Sequence, residues 1–138
     1  MKVVVDSNRV IAALIKESTT REILLNKNFE LIAPAFIKTE ISKYSNEIIS
    51  KVEITKSDFE ELLSIIFDQI KIVPPLNYEK FIEVLDKTIV DEKDVPYLAV
   101  CLSEKALGIW THDLHFKDQK IVEIFTNMDM LNLISDKE

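Results

Sequence analysis

Two hydrophobic rhythms alternate along this chain. Val3-Val4-Val5 is an unbroken β-branched block, the pattern of a strand buried on both faces. Comparable blocks recur at Phe29-Glu30-Leu31-Ile32-Ala33, Ile70-Lys71-Ile72-Val73, Ile109-Trp110-Thr111 and Lys120-Ile121-Val122-Glu123-Ile124-Phe125, which predicts five strands. Between them the apolar residues return at helical spacing. One helix is predicted from Val10 past Ser18 to about Asn26. The next carries Phe36, Ile37, Ile41, Tyr44 and Ile48 to about Ser50, with Pro34 in its opening turn. Thr55-Lys56-Ser57-Asp58 caps a third, whose stripe is Phe59, Leu62, Leu63, Ile66 and Ile70. Further helices are expected from Asn77 to about Lys87, from Asp94 to about Lys105 with Gly108 capping its end, and from Met128 to about Ile134.

Strands separated by helices need long crossovers, which parallel pairing supplies. The predicted fold is α/β, a three-layer α/β/α sandwich around a central, mostly parallel twisted sheet, with residues 1–138 as one domain.

Composition bears on where such a chain works. The single Cys101 excludes an intrachain disulfide and fits a reducing cytoplasm. One glycine and four prolines leave no room for linkers. No apolar run approaches the roughly 20 residues of a membrane span, and a basic-then-apolar leader is missing, so no membrane role is expected. Residues 1–60 are charge-neutral, and the whole net charge of −7 falls in 61–138. Phosphate attraction needs Lys and Arg, so a nucleic-acid role must rest on local basic residues or on bound metal.

The acidic residues themselves show a pattern. Asp6 ends the first strand, Asp113 follows the fourth, Asp94 starts the helix that feeds the fourth, and Glu40 lies nearly two turns into the helix after the second. With parallel strands and the first one central, all four converge on the carboxyl edge of the sheet, where open α/β folds bind ligands. Two carboxylates ~4 Å apart repel by roughly 4 kcal/mol at an effective dielectric of 20. A hard cation such as Mg²⁺ or Mn²⁺ offsets that repulsion with oxygen ligands alone. Two such ions can activate a water and stabilise a leaving oxygen in phosphodiester hydrolysis. Plainer readings exist for each residue. Asp6 and Asp94 suit helix N-caps, Glu40 suits a solvated helix face, and Asp91 suits a solvated loop better than a fifth ligand position.

Val3-Val-Val-Asp-Ser-Asn8, Pro34-Ala-Phe-Ile-Lys-Thr-Glu40, Asp91-Glu-Lys-Asp94-Val-Pro-Tyr-Leu-Ala-Val and Ile109-Trp-Thr-His-Asp113-Leu-His-Phe116, in that order, resemble the PIN domain family. Singly each motif is weak; together they span almost the whole chain. The resemblance implies a Mg²⁺- or Mn²⁺-dependent endoribonuclease acting on RNA, and many such domains are toxins paired with an antitoxin protein. It implies Asp6, Glu40, Asp94 and Asp113 as the metal-binding and catalytic acids, with Asn8 and Thr111 as supporting polar residues. It also implies, by analogy, a homodimer through the helix pair at 34–70. One departure stands out. Arg9 occupies a position where the family usually has an apolar residue, so it either touches substrate phosphate or shifts the helix start.

Arg9, Lys38, Lys43, Lys93 and His112 are the candidate substrate contacts. His112 and His115 lack a third ligand for zinc, and no Ser/His/Asp or Cys/His set suggests covalent catalysis. Trp110, Phe116 and Cys101 read as core. Two rivals remain: a catalytically inactive PIN-like module that binds RNA or protein, and a receiver-like domain with a phosphoaccepting Asp. The second lacks the lysine it needs at the end of a late strand.

Overall fold

The computed structural model describes residues 1–15, 18–85 and 91–137. Its five strands are β1 (Lys2–Val5), β2 (Glu30–Pro34), β3 (Ile70–Val73), β4 (Gly108–Trp110) and β5 (Glu123–Phe125). They form one sheet in the order β3-β2-β1-β4-β5, every pair parallel. Seven helices lie on its two faces among the described residues: α1 (Ser7–Leu14), α2 (Ser18–Leu24), α3 (Phe36–Val52), α4 (Lys56–Phe67), α5 (Pro75–Val84), α6 (Val95–Ser103) and α7 (Asn127–Lys137). A 3-10 turn covers Leu114–Asp118. The architecture is the α/β/α sandwich predicted above.

Val3, Val4 and Val5 are wholly buried, as both faces of a central parallel strand must be. The chain steps outward from β1 through β2 to β3, then returns to lay β4 on the other side of β1. That reversal creates a crevice between the carboxyl ends of β1 and β4. The helix α6 packs on β1, β2 and β4, and α5 packs on α6. On α4 the Thr55 hydroxyl accepts from the Asp58 amide at 3.0 Å, so this cap is as predicted.

Four local expectations are corrected. The first predicted helix is interrupted: α1 ends at Leu14, Ile15 caps it, and α2 begins at Ser18, with 16–17 outside the described residues. Arg21 of α2 donates through Nε to the Ala13 carbonyl and through Nη2 to that of Leu14 at 3.4 Å. This satisfies carbonyls that a continuous helix would have used itself. Pro34 closes β2 beside Val73 instead of opening α3. Pro75 sits at the first turn of α5, where its missing N–H costs nothing, so the helix starts before Asn77. It ends at Val84, and Lys87 lies outside the described residues.

Gly108 does not cap α6. The left-handed residue after that helix is Lys105 (φ 53°), and Gly108 opens β4. A Cβ at Gly108 would stand 2.5 Å from the Glu123 carbonyl oxygen and 2.7 Å from Phe125 Cε2. The glycine is therefore what lets β5 lie close against β4. Gly108→Ala should lower stability by about 1–3 kcal/mol through overpacking. Urea denaturation checks this, and an unchanged midpoint would contradict it.

Candidate metal centre

Asp6 is the residue on which the site is built. It leaves β1 with its amide bonded to the Trp110 carbonyl at 3.0 Å, then caps α1 through the Ser7 amide at 2.7 Å. Its other carboxylate oxygen accepts from Thr111 Oγ1 at 2.6 Å and from Asn8 Nδ2 at 3.1 Å. Thr111 Oγ1 in turn accepts from Asn8 Nδ2 at 3.1 Å and from the Asp113 amide at 2.9 Å. One hydroxyl thus ties the end of β1 to the loop after β4. Asp6 is both a helix cap and a wall of the crevice, so capping α1 does not remove it from the cleft.

A cleft of about 360 Å³ opens at this edge, and Asp6, Glu40, Asp94 and Asp113 all line it. Glu40 comes from α3 and accepts from the hydroxyl of Tyr97 on α6. Asp94 precedes α6 but makes no cap hydrogen bond, so its carboxylate is not tied to the helix end. Asp113 starts the 3-10 turn, accepts from the His115 amide at 2.9 Å, and has the His115 Nδ1 at 3.4 Å. Asp91, Lys93 and His115 also line the cleft. Among the described residues, however, no three His, Cys, Asp or Glu side chains form a ready-made metal-ligand set.

Electrostatics in the cleft favour the neutral form of three of these acids, Asp6, Glu40 and Asp94. Burial pushes the Asp6 carboxyl up to about 6; Glu40 and Asp113 add to this, against the bonds from Thr111 and Ser7. Asp94 is pushed up to about 7, first by burial and then by Asp113, Asp6 and Asp91. Glu40 is also raised, mainly by burial, with Tyr97, Ser7, Lys93 and Lys43 acting in the other direction. Burial holds the Tyr97 phenol well above its usual range, so it is a fixed donor to Glu40. Oxygen donors bearing excess negative charge are the chemistry that a hard divalent cation satisfies.

The other candidates divide. Lys93 lines the cleft. Lys38 does not; its ammonium lies 5.6 Å from the centroid of the Phe67 ring, in the groove between α3 and α4. His112 donates its amide to Asn8 Oδ1 at 3.4 Å, and its ring accepts from the Asn127 amide at 3.4 Å, away from the cleft. Arg9 does not line the cleft; it lies in the first turn of α1, which starts at Ser7 and not at Val10. It is buried within α1, where it donates to Asn8 Oδ1 (3.1 Å), Thr20 Oγ1 (3.3 Å) and Asn127 Oδ1 (3.5 Å). Asn127 Oδ1 also accepts from the Trp110 indole at 2.8 Å. Arg9 therefore orients the Asn8 amide from behind, so that its Nδ2 faces Asp6.

Sequence reading missed Tyr97 and Ser7. Tyr97 lies one helical turn after Asp94, and a phenol inside Val-Pro-Tyr-Leu-Ala-Val is the one signal that could have marked it.

The raised Asp94 has a consequence for stability. Folded, it holds its proton more tightly than the unfolded carboxyl, which titrates near 3.8. Its stabilising contribution is therefore complete below about pH 4 and is lost as the pH rises through about 7. In EDTA, the melting temperature of Asp94→Asn minus that of the parent should grow between about pH 4 and pH 8 and be positive at the upper end. A difference independent of pH would contradict this.

A model of the PIN domain matches residues 4–123. A chain in the structure of VapBC2 from Rickettsia felis, bound to a DNA fragment from their promoter, superposes with a TM-score of 0.65. That alignment covers 91% of this chain and 98% of the other at 16% identity, a likeness of fold. Comparison with curated proteins gives no match. The family model runs from within β1 to the first residue of β5 and includes every carboxylate of the cleft, and the chain belongs to the PIN domain family.

Proposed function

We propose that this chain is a metal-dependent endoribonuclease. The observation that carries the reading is the convergence of four carboxylates from four separate segments on one cleft at the switch point of the sheet. Asp6, Glu40, Asp94 and Asp113 would hold Mg²⁺ or Mn²⁺, and Lys93 would meet substrate phosphate at the rim. When bound, the ion supplies a water of lowered pKa and neutralises charge on the phosphodiester.

The chain's own residues prepare this chemistry. Thr111 and Asn8 fix one oxygen of Asp6, Ser7 the other, so the carboxylate presents a set direction to the cleft. Tyr97 holds Glu40 from the α6 side, which restricts the rotation of a long side chain. Asp94, without a bond to the helix end, can turn toward a cation. His115 beside Asp113 adds a donor near the phosphate path.

A toxin role with an antitoxin partner is part of this proposal. Its supports are the family and a fold shared with a chain of VapBC2. The expected homodimer would use the groove between α3 and α4, whose apolar lining includes Ile41, Ile49, Phe59, Leu63 and Phe67. The inactive-module reading has one observation in its favour, that the carboxylates are not arranged as a finished ligand set among the described residues. Cleavage separates the two. Single-stranded RNA should be cut in Mn²⁺ and left intact in EDTA, with Asp6→Asn slower by at least about 100-fold, the upper range for outer-shell changes. Intact RNA in Mn²⁺, or full activity of Asp6→Asn, would overturn the nuclease reading.

A further inference from the structure

Beside the carboxylate cleft lies a smaller hollow of about 210 Å³, lined by Ile11, Ile15, Tyr44, Glu47, Ile48 and Lys51. It shares Ile11 and Tyr44 with the cleft, so the two form one groove between α1 and α3. Helical spacing explains the continuity. Glu40, Tyr44 and Ile48 succeed one another at one-turn intervals on α3, as do Ile11 on α1 and its C-terminal cap Ile15. The carboxylate end of the groove is polar, and the hollow is walled by isoleucines. Glu47 and Lys51, its charged residues, pair with each other at 3.6 Å across one turn.

Tyr44 stands at the junction and keeps 39% of its surface exposed. The Lys43 ammonium lies over its ring, 5.7 Å from the centroid, and the same lysine acts on the Glu40 carboxylate. An exposed aromatic ring with a cation beside it is the arrangement that stacks a base and meets its phosphate.

We propose that this hollow is a nucleobase subsite: it takes the base of the nucleotide whose phosphate lies in the carboxylate cleft, stacked on Tyr44 between the isoleucine walls. The assignment rests on the ribonuclease reading for the identity of the ligand. Four residues of helix separate Tyr44 from Glu40 by about 6 Å along the axis, within the span of one nucleotide. A base enters such a hollow only when it is unpaired and unstacked, so the substrate is single-stranded RNA. Isoleucine walls offer no hydrogen bonds to a base edge. The subsite therefore selects by stacking and size, and it tolerates sequence.

The test measures binding apart from cleavage, by fluorescence anisotropy of a short single-stranded RNA in Ca²⁺. Tyr44→Ala should bind about tenfold more weakly, the scale of one lost stacking contact, while Tyr44→Phe stays near the parent. An abasic nucleotide in the RNA should weaken the parent and leave Tyr44→Ala unchanged. Tyr44 offers no carboxylate to a cation, so the Mn²⁺ affinity should stay as it is. Equal affinity of Tyr44→Ala and parent overturns the subsite; so does equal binding of duplex RNA, or a parallel loss of Mn²⁺ affinity in Tyr44→Ala. Tyr44-dependent binding without cleavage in Mn²⁺ upholds the subsite and defeats the nuclease reading. Cleavage indifferent to Tyr44 and to the abasic position does the reverse.

Discussion

Like charges are held together at the carboxyl edge of this sheet by packing that has nothing to do with charge. The three valines of β1 require burial on both faces, so the strand must be central, and the residue after it must emerge in the crevice beside β4. That residue is Asp6. The rise of its carboxyl from 3.8 to about 6 corresponds to about 3 kcal/mol against the charged form. Donors from Ser7, Asn8 and Thr111 each favour the anion, by about 1.5–3 kcal/mol for a bond to a charged group. Burial and neighbouring carboxylates outweigh them. A site left in this condition favours a proton or a cation, and the fold determines only that one of them must come.

Much of the polar interior serves to hold this edge in place. Arg9 is the clearest case. A buried guanidinium needs its donors matched, and Asn8, Thr20 and Asn127 accept from it. Asn127 begins α7, Thr20 belongs to α2, and Asn8 touches Asp6, so one side chain links three helices to the carboxylate. Among the described residues no buried side-chain polar atom lacks a partner. A leucine at position 9 would remove the donor behind Asn8 Oδ1 and the bonds to Thr20 and Asn127.

The layers of the fold and the four acids were legible in the sequence because each depends on local pattern. Strand β3 and the Thr55 cap fall where the residues place them. What was not legible depends on distant partners. Gly108 looked like a helix cap, yet its role is decided by Glu123 and Phe125 on a neighbouring strand. Arg9 read as a substrate contact or a shifted helix start because its acceptors Thr20 and Asn127 lie on other helices. His112 and His115 are alike in sequence; the backbone turn at Asp113 sends only His115 into the cleft. Tyr44 shares the helical spacing of Ile37, Ile41 and Ile48, yet it is exposed where they are buried.

Burial first, and neighbouring carboxylates second, raise Asp6 and Asp94, and a hard cation relieves them. Deprotonation must then accompany binding. Calorimetric titration of Mn²⁺ at about pH 6, in two buffers of different ionisation enthalpy, measures the protons released. With Asp6 titrating near 6 and Asp94 near 7, binding should release protons at that pH and markedly fewer at about pH 8. Mn²⁺ that binds without proton release, or that does not bind, would mean that these carboxylates are not a cation site.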